Sequence, residues 1–205
     1  RHLFVLTLGF SRRSFYISCL GETLSELLDA HERAFEHFGG HTREHLYDRP
    51  RTVCQGTEQG RIIWNPTFRA FAEYWGFEPR LCRPYRAQTK GKVERAIREV
   101  KEDFLRWLTG QVLPARPTLG VHDSLARQWT LEVVSTRRHR TTGRVVGEAW
   151  AVERPLLREI PARIISSLQG ERAEVPARVI DLSALRASGD VVADHALADY
   201  EGVMP

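Results

Sequence analysis

The order of apolar patterns along the chain predicts an α/β domain, followed by a helical linker and a small β domain. Three observations carry this. Two apolar runs, "RHLFVLTLGF" and "FYISCL", lie on either side of a polar turn and read as paired strands. Two further segments, "ETLSELLDAHERAFEHFGG" and "TFRAFAEYWG", place apolar residues at helical spacing. Strand-like stretches, "REHLYD" and "FEPRLC", alternate with these helices, and such alternation is the mark of the α/β class.

The first two strands span roughly residues 1–9 and 13–20. The first helix has Leu24, Leu27, Leu28, Ala34, Phe35 and Phe38 on one face, Thr23 as N-cap and Gly39-Gly40 as its stop. "REHLYD" ends at Asp48, and Pro50 keeps it from running on as a central strand. Residues 54–66 hold Gly56, Gly60 and Pro66 around "RIIW" and read as a loop or loose hairpin. The second helix starts near Thr67, and "FEPRLC" is a short strand. A long helix runs from about residue 89 to 108, with Val93, Ile97, Val100, Phe104, Trp107 and Leu108 on one stripe. "TGQVLPARPTLG" is rich in Pro and Gly and predicts a boundary. The expected division is 1–110, a helical linker over 111–160 with helices near 121–136 and 147–158, and a short β domain over 161–205.

Composition narrows the function classes modestly. The 205 residues are 42% hydrophobic and 27% charged, as in ordinary globular proteins. No apolar run reaches bilayer length and no signal peptide is visible, so a cytoplasmic protein is expected. Cys19, Cys54 and Cys82 show neither zinc-site nor disulfide spacing. A net charge of +4 accords with a polyanionic partner without requiring one. Because "RHLFVLTLGF" reads as the inside of a strand, the true start is expected upstream.

The candidate chemistry lies in "YRAQTKGKVERAIREVKEDF", whose first part, through Arg98, carries Arg86, Lys90, Lys92, Arg95 and Arg98 and only one acid, Glu94. One residue is a turn of about 100° on a helix, so Glu94, next to core position Val93, falls at the edge of the buried stripe. Asp48 closes a strand, and sites in α/β sheets gather at strand ends. Two carboxylates meeting there within a ring of cations would suit divalent metals and a phosphate backbone. The plainer alternatives stay open at this point: Glu94 as an exposed partner of Arg98 at i+4, and Asp48 as a cap for the Arg49-Pro50 turn. His31, His37 and His45 have no ligand partners at convincing spacing and read as structural or surface residues. Trp64, Trp75, Trp107 and Trp129 read as core.

"LYDRPRTV", "WNPTFRAFAEYWGF", "CRPYRAQTKGKVERAI" and "RRHRTTG" occur in this order over about residues 1–160, and the chain thereby resembles the IstA-like insertion-sequence transposases, DDE enzymes related to retroviral integrase. The resemblance implies an RNase H-like mixed sheet with flanking helices. It implies DNA strand cleavage and joining with magnesium or manganese, and it assigns the second metal-binding Asp to Asp48 and the Glu to Glu94, with 45 residues between them (94 − 48 − 1). It implies transposon-end and target DNA, a homo-oligomer on DNA and a helper AAA+ ATPase as partners, with nucleoid association when bound. Arg83, Arg86, Lys90, Lys92, Arg95 and Arg98 become phosphate contacts, as do Arg138 and Arg140; for His139 and Thr141 fixing a turn is the competing role. The family's first Asp lies on a preceding strand, and residues 1–47 hold only Asp29, inside a helical pattern. An inactive DNA-binding or regulatory remnant is therefore the alternative function. A nonspecific two-metal nuclease is a third, disfavoured by the lack of another acid-rich strand.

Overall fold

The computed structural model describes residues 2–48, 50–82, 98, 100–114 and 118–160. Strand β1 (His2–Thr7) pairs antiparallel with β2 (Ser14–Cys19), with Val5 opposite Tyr16. Their polar–apolar alternation is weak in the sequence because both faces are covered, as happens when helices pack on each side. On one face Phe4, Leu6, Phe15 and Ile17 join Leu28, Phe35, Phe38, Phe68 and Trp75. On the other, Leu3, Val5 and Tyr16 join Phe104, Leu108, Ala126, Trp129 and Val146.

Helix α1 (Leu24–Phe38) begins at the expected cap. The Thr23 hydroxyl accepts from the Glu26 amide and Glu26 reaches back to the Thr23 amide, a reciprocal capping box. Gly39 closes the helix in the left-handed region at φ 70°. Gly40 is required for a different reason: a Cβ there would stand 2.6 Å from the Arg158 carbonyl oxygen. His41 and Arg158 form an antiparallel bridge at that spot, which docks the 157–160 segment beside the end of α1.

Strand β3 (Glu44–Tyr47) pairs in parallel with β6 (Glu78–Leu81), Glu44 lying opposite Glu78. The crossover contains a hairpin, β4 (Cys54–Glu58) and β5 (Arg61–Trp64), and helix α2 (Pro66–Trp75). Of the loop and the loose hairpin expected here, the hairpin is formed, and its turn is tight. Gln59 at φ 49° and Gly60 at φ 78° make a two-residue turn of the kind that matches strand twist. Asn65 caps α2 through the Thr67 and Phe68 amides, with Pro66 in the first turn, so the helix starts one residue before the expected Thr67. Parallel and antiparallel pairing are both present, so the fold is mixed α/β, with three two-stranded ladders among the described residues.

The helix expected over 89–108 is described in its later part. Arg98 is helical, Val100–Phe104 is a π-helical turn and α3 (Leu105–Leu108) completes it; Phe104 and Leu108 are buried as the stripe requires. Residues 89–97 lie outside the described residues, as does the β domain expected over 161–205. Beyond the Pro/Gly stretch, Thr118 caps α4 (Leu119–Trp129), which passes into a second π turn, Thr130–Val134. Helix α5 (Val146–Glu153) and a 3-10 turn (Arg154–Leu156) follow.

These later helices pack on the β1–β2 hairpin itself. The buried Glu153 carboxylate accepts from the backbone amides of Phe10 (3.2 Å) and Ser11 (2.9 Å) in the β1–β2 turn. At the far end of the hairpin, the buried Asp123 accepts from the Ser18 amide at 3.3 Å. Burial raises the Asp123 carboxyl from 3.8 to about 6, against the opposing pull of the Ser18 amide, Arg33 and Arg127. Its folded pKa is above its unfolded one, so the charged form costs stability above about pH 6, and that cost fades as the pH falls. Asp123→Asn should therefore be more stable than the parent by about 1–2 kcal/mol at pH 8 and equal to it near pH 4, as read by urea unfolding. A destabilised variant at pH 8 would show that the charge is needed.

Candidate active site

Asp48 sits one residue beyond β3, exposed, at the C-terminal edge of the parallel β3–β6 pair. The ladder continues past the strands: the Cys82 amide donates to the Tyr47 carbonyl at 2.9 Å. The chain therefore leaves β6 directly beside Asp48, and its next residues are Arg83 and the basic stretch. The turn after Asp48 is closed by backbone bonds from Val53 and Cys54 to the Pro50 carbonyl. Among the described residues no partner holds the Asp48 carboxylate.

Glu94 lies outside the described residues, together with Arg83, Arg86, Lys90, Lys92 and Arg95. Arg98 is helical and exposed. Asp29 is committed elsewhere, on the buried side of α1 with Arg33 at 2.9 Å. Among the described residues no group of three or more His, Cys, Asp or Glu side chains could hold a metal. What the described part offers is one hard oxygen donor open to water. That donor chemistry fits magnesium, which takes few carboxylates and retains water and phosphate oxygens.

Behind Asp48 the strand is anchored. Tyr47 and His31 are both fully buried, and the Tyr47 hydroxyl lies 3.0 Å from His31 Nε2. His31 Nδ1 lies 2.8 Å from the Leu27 carbonyl oxygen, which can only accept, so Nδ1 carries the proton and Nε2 accepts from Tyr47. Burial lowers His31 from 6.5 to about 4, which keeps the ring neutral. The expectation that His31 and His45 are structural or surface residues resolves to the core, with His41 beside them. Nearby, a cleft of about 220 Å³ lies between the hairpin, the start of α1 and the Pro50–Thr52 turn. Its Cys19 thiol is pushed up to about 12 by burial and by Glu26, Asp123 and Asp29, so it is no nucleophile.

"RRHRTTG" forms a tight connection bridged between Arg138 and Val145. Within it the Thr142 amide donates to His139 Nδ1 at 3.3 Å. Arg138 and Arg140 are exposed, Arg138 also donating to the Gly143 carbonyl. Arg137 is the residue whose role the sequence concealed. Its guanidinium meets Asp103 at 2.8 Å and lies over the Trp129 ring, tying this turn to the helix that follows Glu94. No spacing rule links positions 34 apart in sequence.

Residues 1–87 match the family model of the integrase core domain. The chain is 39% identical over 151 residues to a protein of Geobacillus stearothermophilus named for the transposase of insertion sequence element IS5376, covering 74% of this chain and 36% of that one. It is 32% identical over 158 residues to the transposase for insertion sequence element IS21 of Pseudomonas aeruginosa, covering 77% and 39%. The chain thus spans little more than a third of these relatives. The catalytic core domain of BIV integrase aligns with a TM-score of 0.46 at 14% identity, over 75% of this chain and 95% of that one. No helix among the described residues is long and apolar enough to cross a membrane. Residues 1–87 thus resemble the integrase core domain, and the relatives that align along most of this chain are named as insertion-sequence transposases.

Proposed function

We propose that this chain is part of the catalytic core of a DDE transposase, which cleaves and joins DNA strands by two-metal phosphoryl transfer. The observation that carries the reading is the placement of Asp48: an exposed carboxylate at a strand end, beside the end of β6, after which the basic "RPYRAQTKGKVER" follows in sequence. In this reading Asp48 and Glu94 hold magnesium or manganese. Bound divalent cations of this kind activate the attacking oxygen and stabilise the leaving one. The chain's own groups orient the DNA. Arg83, Arg86, Lys90, Lys92, Arg95 and Arg98 neutralise phosphates near the scissile bond, and Arg138 and Arg140 do so farther along. Gly91 between two lysines lets the backbone approach the phosphate closely. The partners are transposon-end and target DNA, a second copy of the protein on that DNA, and a helper AAA+ ATPase.

A second reading is a DNA-binding remnant without chemistry; within the described residues Asp29 is engaged by Arg33.

The test uses the transposase containing this chain, assayed on transposon-end DNA with magnesium. Glu94→Gln should abolish cleavage while metal-free binding holds or tightens, because a negative charge near the phosphates is gone. Normal cleavage by Glu94→Gln would leave Glu94 as no more than an i+4 partner of Arg98. No cleavage by the parent, with binding intact, would favour the remnant. Changing Lys90 and Lys92 to Ala should lower the slope of log affinity against log salt by about 0.9 for each phosphate that is no longer neutralised. An unchanged slope would remove both lysines from the DNA interface.

A further inference from the structure

The carboxylate proposed to bind metal stands at the end of a strand of only four residues, Glu44–Tyr47, paired to β6. A strand this short does not by itself fix the twist of the residue that follows it. The Cys82 amide holds the Tyr47 carbonyl from the side. The other constraint is the Tyr47 side chain. Successive residues of a strand point to opposite faces, so a rotation of the backbone that frees Tyr47 also re-aims position 48. Tyr47 is anchored among Phe68, at a ring-centroid distance of 5.2 Å, and His31, at 5.7 Å. Its hydroxyl is directed by one acceptor whose tautomer α1 dictates, as the Leu27 carbonyl requires a proton on Nδ1. The His31 ring is itself held by Phe4 at 5.0 Å and lies parallel to Phe77 at 6.5 Å. A hydrophobic residue at position 47 would fill the same volume; only the hydroxyl adds a direction.

We propose that the hydrogen bond from Tyr47 to His31 is a positioning device, by which α1 sets the orientation of β3 and so aims the Asp48 carboxylate toward its metal. His31 and Tyr47 are positioning residues; neither touches the metal. The inference rests on the reading of Asp48 as a metal ligand.

The experiment uses the ¹⁵N-labelled chain titrated with MnCl2, following paramagnetic broadening of the Asp48 amide, with urea unfolding in parallel. Tyr47→Phe leaves the buried Nε2 lone pair without the hydroxyl and should lose stability. Its manganese affinity at Asp48 should fall about tenfold, the lower end of the range expected when supports behind a ligand are removed. The double variant His31→Leu/Tyr47→Phe removes both polar groups and should recover most of the stability, because apolar partners of similar size replace them. Its manganese affinity should stay low. His31→Gln, whose amide oxygen can accept from Tyr47, should keep affinity near the parent's. A double variant that binds manganese as the parent does would overturn the positioning role while leaving Asp48 a ligand. Broadening in the parent that is indifferent to Asp48→Asn, or absent altogether, would overturn the metal reading and this inference with it.

Discussion

Lowering the pH from 7.5 to 5 should strip the protein of much of its stability, through histidines the fold holds neutral. His31 and His45 are fully buried and His41 nearly so, within contact range of one another. Burial is the leading cause in each case. It lowers His31 and the partly buried His37 to about 4, His41 below its ordinary value and His45 well below it. The charges facing the cluster are all positive and push the same way: Arg158 beside His41, Arg13 and Arg127 beside His37, and the imidazoles on one another. Because the folded pKa values are depressed, the unfolded chain takes up protons first as the pH falls below 6.5. Stability is therefore complete above about 6.5 and declines toward 4. His31 alone, moving from 6.5 to about 4, is worth on the order of 3 kcal/mol. Domains typically hold about 5–15 kcal/mol in total.

Asp123 opposes this, since a carboxyl raised to about 6 favours the fold on acidification, but it is one group against four. Urea midpoints followed by fluorescence of the buried Trp75 and Trp129 should hold between pH 7.5 and about 6.5 and fall from there to pH 5. His45→Phe keeps a ring against Phe77, 4.2 Å away, and should make the pH dependence shallower by up to about 1.4 kcal/mol per unit. A midpoint that does not move between pH 7.5 and 5 would refute the argument.

Removing the Glu153 carboxylate should cost about 3–5 kcal/mol, at a position that looks unremarkable in the sequence. Glu153 is the last residue of α5 and is 1% exposed. Among the described residues no cation forms a salt bridge with it; it accepts two backbone amides of the β1–β2 turn, Phe10 and Ser11. The turn is also closed by backbone bonds between Leu8 and both Arg12 and Arg13, with Arg12 at φ 64° in the left-handed region. Neighbouring contacts run between the same elements: the Arg144 guanidinium lies 4.2 Å over the Phe10 ring, and the Arg13 guanidinium reaches Ser135 and lies over Trp150. Each buried donor left unsatisfied costs about 1–3 kcal/mol, so Glu153→Ala loses two such bonds and leaves a void. Glu153→Gln retains one acceptor and should lose about 2 kcal/mol, with a corresponding fall in melting temperature of roughly 4–8 °C for a chain of this size. Loss of less than about 0.5 kcal/mol in Glu153→Ala would mean that the turn is held by other contacts.

Much of the fold was legible because its signals are local. The capping box from Thr23 to Glu26, the glycine stop at Gly39 and the Asn65-Pro66 helix start each act within a few residues. Asp48 could be placed at a strand end because Pro50 follows so closely. What sequence alone determined about the candidate site is thus the address of one carboxylate and the basic character of the stretch beyond β6. The tertiary structure decided the rest. The hairpin carries helices on both faces, and that doubling erased the polar–apolar alternation that would have announced which side each residue faces. His31 with Tyr47, Asp103 with Arg137 and Glu153 with Ser11 stand 16, 34 and 142 residues apart. His31, Tyr47, Ser11 and Glu153 are buried and the Asp103–Arg137 pair is half-buried, and a buried donor or acceptor must find its partner wherever the packing of helices on strands happens to bring one. Periodicity reports which face of an element is buried; it has no term for which distant group lies on the other side.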